Sequence, residues 1–390
     1  MLELLVDAEV YAPAPLGRRN LLIGGGTILW MGQRLPALDP ELPVNRVELH
    51  GMRLFPGLID GHVHVTGGGG EAGFRSRVPP TGPSLFTQSG VTSVVGVLGT
   101  DDLNRSTREL VAQTLALRED GLNAWCHCGG YHIPLATLTG SVRGDIVHID
   151  PIIGVGELAL SDHRSSQPTL DELLRIASEA HVAGLMANKA GVVHLHLGDG
   201  PRGLAMVRQA LETSELPARV FNPTHCNRRR ALFDEAMALA DQGCSIDVTA
   251  FPVADGEDAW TAEDALLRYL EAGLPPSRIT VSSDGGGCLP TFDVDGDIVF
   301  MDVGRPQAMA LTLRRLLERG APMERVLPAF TTNVARLLRL PGKGVIRIGA
   351  DADLVAMDPQ FNITDVMIRG RWHRRESKPV RHGLFEGGER

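Results

Sequence analysis

The stretch Phe55-Pro56-Gly57-Leu58-Ile59-Asp60-Gly61-His62-Val63-His64 decides the fold of this chain. An apolar run from Leu58 ends in two histidines two positions apart, and residues at that spacing in a β-strand point to the same face. Where parallel strands alternate with helices around a barrel, the active site lies at the carboxyl ends of the strands. We therefore interpret His62 and His64 as the first part of a site at such an edge.

Seven further apolar runs follow and alternate with helical patterns such as Leu170–Ala183, Gly203–Glu212 and Arg229–Gln242. The eight runs are Leu58–Val65, Thr92–Leu98, Asn123–Cys128, Ile152–Leu160, Val192–Leu197, Ala218–Asn222, Ser245–Ala250 and Ile279–Ser282. Eight strands alternating with helices predict an α/β fold of the (β/α)8 TIM-barrel type. A doubly wound sheet stays open on strand count alone, and the placement of the candidate ligands below favours the barrel.

Both ends of the chain are patterned differently, as short strands broken by turns. The N-terminal segment has Thr27–Trp30 after a glycine turn, and the C-terminal segment has Val345–Ile348, Asp353–Met357 and Val366–Ile368. Two β-rich ends that flank an α/β middle predict one small β-sandwich built from both. The expected domains are 1–54 plus 343–390 for the sandwich and 55–342 for the barrel.

Composition narrows the class of protein. The chain has 390 residues, 43% of them hydrophobic and 22% charged, which is an ordinary soluble globular profile. Its net charge of −9, without a basic stretch to offset it, argues against a nucleic-acid partner. Five scattered cysteines do not form a disulfide framework. No secretion signal or membrane span is recognised, so we expect a cytoplasmic protein that does not enter a membrane.

Candidate metal ligands stand at the ends of different predicted strands. They are His62, His64, Glu157, His196, His225 and Asp284. Imidazoles and carboxylates in this number suit two divalent ions of the zinc type that share a bridging carboxylate. A single His-x-His pair is often structural, and Asp284 alone could cap a turn or helix. Their joint placement at strand ends is what favours a metal site.

Other histidines are assigned to packing or to the surface. His127 lies between Cys126 and Cys128, but the alternation of a strand turns it away from both thiols, so we expect buried packing. His194 shares a face with His196 one layer deeper, as a core residue or as support for a ligand. Surface positions are expected for the histidines in terminal and connecting segments, His50, His148, His181, His373 and His382.

At these residues the sequence resembles the amidohydrolase superfamily, and within it the isoaspartyl (β-aspartyl) dipeptidases, over nearly the whole chain. The general marks are 55–64 and the late Gly-Ala-Asp-Ala-Asp-Leu-Val at 349–355. More specific are Gly-Gly-Gly-Gly-Glu-Ala-Gly at 67–73, Gly-Tyr-His at 130–132, Ser-Asp-His-Arg-Ser at 161–165, His-Cys-Asn-Arg at 225–228 and Ser-Ser-Asp-Gly at 282–285. The specific set separates this subgroup from hydantoinases and dihydroorotases.

The resemblance assigns roles to the metal ligands. It implies that His62 and His64 bind one zinc ion and that His196 and His225 bind the other. Asp284 would be both a ligand and the general base.

The resemblance also implies a set of side chains that contact the substrate. Glu71 would hold the free α-amino group, Tyr131 would polarise the scissile carbonyl, and Arg164 and Arg228 would pair with carboxylates. Taken singly, each arginine could instead form a surface ion pair, and the glycine run before Glu71 could be an ordinary loop. Cys288 stands where the family has a substrate-contacting serine, and a thiol is a weaker hydrogen-bond partner.

The bridge between the metals departs from the family pattern. The family usually carries a carboxylated lysine, whereas this chain has Glu157 there. Apart from Lys343 at the end of the barrel segment, the barrel's only lysine is Lys189, which precedes the fifth run, at the opposite pole. We therefore expect two divalent metals, Zn²⁺ by ligand type, bridged by Glu157 and a hydroxide. A single-metal or inactive site is the alternative.

Together these features predict a metal-dependent dipeptidase that hydrolyses β-aspartyl dipeptides through a metal-bridging hydroxide. If the chain is an enzyme, the alternative activity is hydrolysis of a γ-glutamyl dipeptide or an N-acyl amino acid. If it is not, the alternative is an inactive scaffold that has lost its metals. The expected partner is a small dipeptide, and the family resemblance implies a homo-oligomer.

Overall fold

The structure, a computed structural model, describes residues 2–293, 295 and 297–386. The strands are β1 Leu2–Tyr11, β2 Pro15–Gly24, β3 Thr27–Gly32, β4 Val44–Glu48, β5 Arg53–Pro56, β6 Leu58–Val63, β7 Val91–Gly96, β8 Asn123–Cys128, β9 Ile152–Leu160, β10 Val193–Leu197, β11 Phe221–Thr224, β12 Ile246–Thr249, β13 Ile279–Ser282, β14 Cys288–Phe292, β15 Ile298–Val303, β16 Leu354–Met357, β17 Ile363–Ile368, β18 Arg371–Arg375 and β19 Lys378–Pro379.

The helices lie mainly between the middle strands. They are α1 Pro83–Gln88, α2 Thr107–Glu119, α3 Val142–His148, α4 Leu170–Ala187, α5 Ala205–Thr213, α6 Arg230–Asp241, α7 Ala262–Glu271, α8 Gln307–Glu318, α9 Met323–Val326 and α10 Thr332–Leu337. The longest, α4, begins in a capping box between Thr169 and Glu172 and ends at Asn188 in the left-handed conformation. Within the described ranges, none of the helices combines the length and apolar composition that crossing a bilayer requires.

The middle strands form a barrel-type domain of parallel strands. β6 to β11 make one parallel sheet in chain order, and β12 pairs in parallel with β13. Backbone hydrogen bonds link the two sheets at both sides, among them Cys226 N to Asp247 O (3.1 Å) and His64 N to Gly285 O (2.8 Å). Each of the eight predicted apolar runs overlaps one of these strands. The sixth run was placed too early, since Ala218–Val220 forms a 3-10 helix and the strand begins at Phe221.

Both ends of the chain meet in a single mostly antiparallel sheet, which has nine strands within the described residues. The junction is β5 against β16, with Leu354 opposite Pro56 and Val355 opposite Phe55. Within the described residues the strands of both ends form one continuous sheet. The predicted strand Val345–Ile348 is wrong, since these four residues do not form a strand. The proposed domain limits stay a prediction.

Two further local features differ from the sequence expectations. β14 and β15 form an antiparallel hairpin directly after the last barrel strand, which the sequence did not indicate. His373 was expected at the surface but is buried in β18. The sequence did not indicate that β18 is a strand, because a tryptophan precedes the histidine and arginines follow it, which gives no clear alternation of apolar and polar residues.

A buried ion-pair cluster joins the small sheet to the barrel. Lys343 Nζ lies 2.6 Å from Asp353 Oδ2 and 2.7 Å from Asp351 Oδ2. Asp353 also accepts hydrogen bonds from Asn123 Nδ2 at the start of β8 (2.9 Å) and from Arg369 N (2.8 Å). Because Asn123 belongs to the barrel and Asp353 leads into β16, one carboxylate ties both units together.

We expect Lys343→Met to lower the free energy of unfolding by about 3–5 kcal/mol, because it leaves buried Asp353 without its cation. The measurement is a urea titration followed by circular dichroism. The control is Arg314→Met, which removes an exposed ion pair with Glu318 and should cost less than about 1 kcal/mol. Equal effects of the two substitutions would contradict the assignment.

Candidate metal centre

The six predicted metal ligands converge at the carboxyl ends of the barrel strands. His62 lies in β6, His64 follows it, Glu157 lies in β9, His196 in β10, His225 after β11 and Asp284 after β13. All six side chains are buried. The alternation of β6 directs His62 and His64 to the same side, as the spacing predicted.

The first group of ligand atoms surrounds Asp284. Its Oδ1 lies 3.0 Å from His64 Nε2 and 3.4 Å from His62 Nε2. One ligand atom from each of these three residues lies within 4.8 Å of the others, which is the spacing of a set that can hold one ion. The chain therefore offers two imidazoles and a carboxylate oxygen to a common point.

The second group surrounds Glu157, whose two oxygens face different ligands. Oε1 lies 3.4 Å from His64 Nε2, while Oε2 lies 3.2 Å from His196 Nδ1 and 3.5 Å from both His62 Nε2 and His225 Nε2. His62, Glu157 and His225 form a second set that can hold an ion. A carboxylate with one oxygen toward each group has the arrangement of a bridge.

Lys189 lies away from this centre, as predicted. Its Nζ donates hydrogen bonds to the carbonyl oxygens of Ile146 and Ile149, each at 2.7 Å, near the start of β9. Glu157 therefore occupies the position between the two groups of ligand atoms, and Lys189 does not reach that position.

The donor set fits divalent metal ions. Among the described residues His62 Nε2 has no hydrogen-bond partner, although it is fully buried. A buried ring nitrogen without a partner is costly unless a group outside the protein chain satisfies it. Imidazole nitrogen and carboxylate oxygen are the ligands that zinc-type ions take in proteins.

The protonation states of the histidines also favour metal binding. Burial lowers the pKa of His62, lowers that of His225 well below its usual value, and lowers that of His196 to about 3. Neutral imidazoles result at neutral pH, and each keeps a lone pair for a metal.

The two carboxylates carry charge that needs a counterpart. Burial raises the pKa of Glu157, and the neighbouring Asp284 raises it further. Burial also acts to raise the pKa of Asp284, but the adjacent ring nitrogens of His62 and His64 outweigh it, so this pKa lies well below its ordinary value. Positive ions between the carboxylates would allow both to stay ionised.

Tyr131 follows β8 and reaches the same space. Its hydroxyl lies 2.8 Å from His196 Nδ1, the nitrogen that faces Glu157. Burial, and then the charge of Glu157, raise the pKa of Tyr131 well above its usual value. The phenol therefore stays protonated and can donate a hydrogen bond into the centre.

Asp162, which the sequence did not single out, connects a metal ligand to an arginine. Its Oδ2 lies 3.0 Å from His196 Nε2 and 2.7 Å from Arg164 Nη2, and its Oδ1 lies 3.0 Å from Arg164 Nε. The signal was present, because Asp162 belongs to the Ser-Asp-His-Arg motif. Its contact with His196 depends on strand β10, which motif spacing cannot supply.

Glu71 lies on the other side of Arg164. Its Oε1 accepts hydrogen bonds from Arg164 Nη1 and Thr100 Oγ1, both at 3.1 Å. Its Oε2 is buried and has no hydrogen-bond partner among the described residues. One carboxylate oxygen is thus held in place while the other remains available to a cation.

The glycine run before Glu71 is required by close backbone contacts. Gly67 has φ of 78°, and a Cβ there would lie 1.9 Å from Val78 O. Gly69 has φ of 74°, with Ser76 O 2.4 Å from its would-be Cβ. Since such positions admit only glycine without strain, the run shapes the loop that delivers Glu71.

The remaining predicted substrate contacts line the same cavity as the metal ligands. Arg228 donates to Leu197 O (2.8 Å) and has Nη1 3.3 Å from His196 Nε2. Cys288 is half-buried at the start of β14, and burial, with the charge of Glu71, raises its pKa to about 12. The cavity is lined by Glu71, Tyr131, Arg164, Arg228 and Cys288 together with five of the six ligands, His62 lying beneath it.

Comparison with known proteins finds solved structures of high similarity. The β-aspartyl dipeptidase of Fervidobacterium islandicum AW-1, solved in complex with the β-Asp-Leu dipeptide, is 40% identical and covers 97% of both chains with a TM-score of 0.93. More distant matches include a deacetylase of Agrobacterium fabrum, 24% identical over 87% of this chain and 78% of that protein. A dihydropyrimidinase of Brevibacillus agri is 16% identical with a TM-score of 0.69, covers 98% of this chain and 97% of its own, and shares the fold.

The family model described as Amidohydrolase family matches residues 53–373, which include all eight barrel strands. Every candidate ligand lies inside that match. The resemblance drawn from the sequence is confirmed, and the chain belongs to the amidohydrolase family of hydrolases.

Proposed function

We propose that this chain hydrolyses β-aspartyl dipeptides in a site that holds two divalent metal ions. The observation that carries the proposal is the pattern of charge in one cavity, where a carboxylate and two guanidinium groups surround the ligand cluster. The similar protein of Fervidobacterium islandicum AW-1 was solved with β-Asp-Leu, which has a complementary set of charges.

A β-aspartyl dipeptide carries a free amine and a carboxylate on its acyl residue and a second carboxylate on its leaving residue. The free Oε2 of Glu71 suits the amine. Arg164 and Arg228 suit the carboxylates, because a guanidinium can bind a carboxylate through two parallel hydrogen bonds. Asp162 keeps Arg164 in the orientation that faces the cavity.

The ligand cluster determines the chemistry. His62, His64 and Asp284 would hold one ion and His196 and His225 the other, with Glu157 shared. When bound, the ions supply an acidified water and a Lewis acid for the scissile carbonyl. Asp284 accepts the proton of the attacking water and returns it to the leaving nitrogen. Tyr131 donates a hydrogen bond to the carbonyl oxygen as negative charge develops on it.

The finer features of this proposal rest on the sequence and on the donor set. We infer that the metals are zinc, because nitrogen-rich sites with two carboxylates suit that ion. We also infer that β6 to β13 close into a complete barrel, that the terminal segments act as a separate domain, and that the protein is a cytoplasmic homo-oligomer.

Turnover of three substrates tests the proposed reaction. Purified protein loaded with zinc should hydrolyse β-Asp-Leu faster than γ-Glu-Leu and N-acetyl-leucine. Hydrolysis of N-acetyl-leucine alone would favour an N-acyl amino acid hydrolase. Metal analysis accompanies the assay, since well under one zinc per chain and no activity on adding zinc would favour an inactive scaffold.

Glu71→Gln tests recognition of the substrate amine. We expect kcat/KM for β-Asp-Leu to fall by about 10²–10³-fold, because the ammonium group loses a buried partner. The matched substrate is N-succinyl-leucine, which differs from β-Asp-Leu only by lacking the amine, and its turnover should change by less than about 3-fold. Equal losses for both substrates would show that Glu71 does not contact the amine.

A further inference from the structure

A line of buried hydrogen bonds runs from the barrel core to the metal ligand His62. His62 Nδ1 lies 2.7 Å from His194 Nε2, and His194 Nδ1 lies 2.7 Å from Asn222 Oδ1. Asn222 Nδ2 in turn donates to the backbone carbonyl oxygen of Ser245 at 2.8 Å. All three side chains are buried, and β10 and β11 bring His194 and Asn222 together because they are directly paired in the parallel register.

The direction of each hydrogen bond follows from the carbonyl at the start of the line. The Ser245 carbonyl can only accept, so the amide nitrogen of Asn222 must face it. The amide oxygen of Asn222 then faces His194, and His194 Nδ1 must carry a hydrogen. A reversed amide would set oxygen against oxygen at Ser245 and leave two buried groups unsatisfied.

The same logic continues through the two imidazoles. His194 is buried, and its ring-nitrogen partners within the described residues, Asn222 and His62, bring no negative charge, so the ring is neutral. With its hydrogen on Nδ1, His194 offers a lone pair at Nε2. His62 Nδ1 must then donate to it, which leaves the lone pair of His62 on Nε2, the atom 3.4 Å from Asp284 Oδ1 and 3.5 Å from Glu157 Oε2.

We propose that Asn222 and His194 are positioning residues that fix the tautomer of His62 and present its Nε2 lone pair to the metals. The inference rests on the proposed metal centre. The partner of a ligating histidine's second nitrogen is usually a carboxylate, a carbonyl or water, and here a second histidine takes that place.

His62 is the ligand for which the tautomer matters most. It belongs to both three-residue sets around the centre, whereas His64 and His225 each belong to one. His225 and His196 have separate partners for their second nitrogens, Thr249 Oγ1 at 2.8 Å and Asp162 Oδ2 at 3.0 Å. A hydrogen on Nε2 of His62 would therefore remove the lone pair that His62 offers to the ion it would hold with His64 and Asp284.

The neighbouring His127 supplies a matched control. Its ring stacks on His194 with centroids 5.4 Å apart and planes at 25°, and neither of its ring nitrogens has a hydrogen-bond partner among the described residues. It is also fully buried. His127→Phe therefore keeps an aromatic ring in the same part of the core without removing a hydrogen bond from the line.

Zinc affinity of metal-free protein, measured by competition with a chromogenic chelator, tests the inference. We expect His194→Phe to weaken zinc binding by about 10–100-fold, and His127→Phe to change it by less than about 3-fold. His194→Gln should recover much of the loss, because its amide oxygen can accept from His62 Nδ1. Equal zinc affinity in His194→Phe and the wild type, with both folded, would overturn the proposal.

A spectroscopic measurement on the wild type covers the case in which His194→Phe does not fold. Nitrogen NMR of ¹⁵N-histidine-labelled protein distinguishes a hydrogen on Nδ1 from one on Nε2. We expect both His194 and His62 to carry hydrogen on Nδ1, and a hydrogen on Nε2 of His194 would overturn the proposal. The NMR readout needs no turnover, so a failure of the β-Asp-Leu assay would count against the proposed function and leave this test intact.

Discussion

Replacing Glu157 by glutamine is expected to reduce bound zinc from two ions per chain to at most one, and to lower kcat/KM for β-Asp-Leu by about 10³-fold or more. Glutamine keeps the shape of the side chain but removes the charge that two cations share. The geometry explains the size of the effect, because Oε1 faces His64 while Oε2 faces His196 and His225. Metal content by plasma mass spectrometry and steady-state kinetics measure the two outcomes.

Two control variants separate the effect of the lost charge from an effect on folding. Glu157→Asp keeps the charge on a shorter arm, so it should retain more zinc than Glu157→Gln. Glu263→Gln changes another buried glutamate, which lies in α7, pairs with Arg315 and does not line the cavity, and it should leave zinc content at the wild-type level. If Glu157→Gln still bound two zinc ions, Glu157 would not be the bridge.

The part of this site that could be predicted from the sequence is the part that depends on strand periodicity. A strand places every second residue on one face, so the spacing of His62 and His64 is enough to pair them. Glu157 could be added because it lies in an apolar run, and His196, His225 and Asp284 because each lies at the end of such a run or soon after it. Parallel strands bring such ends to one edge whatever the details of their packing.

What the sequence could not supply are contacts between side chains on different strands. Asp162 lies beside His196 because a loop after β9 meets β10, and Asn222 meets His194 through the register of β10 and β11. Neither contact leaves a signal in local periodicity. The strand expected at Val345–Ile348 failed for a related reason, since an alternating pattern does not by itself supply a pairing strand. Ile346 is buried there, whereas Ile348 is exposed.

The second large effect is expected for Asp284→Asn, which should lower kcat for β-Asp-Leu by about 10³–10⁴-fold while zinc content stays near that of the wild type. The amide oxygen can still face His62 and His64, but asparagine cannot accept the proton of the attacking water. Asp284 has φ of 52°, a left-handed conformation that asparagine also adopts readily, so the backbone should be preserved. Zinc analysis, circular dichroism and kcat measured on the same preparation separate the three effects.

Glu157→Gln and Asp284→Asn together distinguish the roles of the two carboxylates. Loss of activity with loss of metal identifies the bridge, whereas loss of activity with metal retained identifies the base. Because the pKa of Asp284 lies below its ordinary value, its side chain is the carboxylate in the neutral range, which is the form that can accept a proton. A kcat for Asp284→Asn within about tenfold of the wild type would place the general base elsewhere in the cavity.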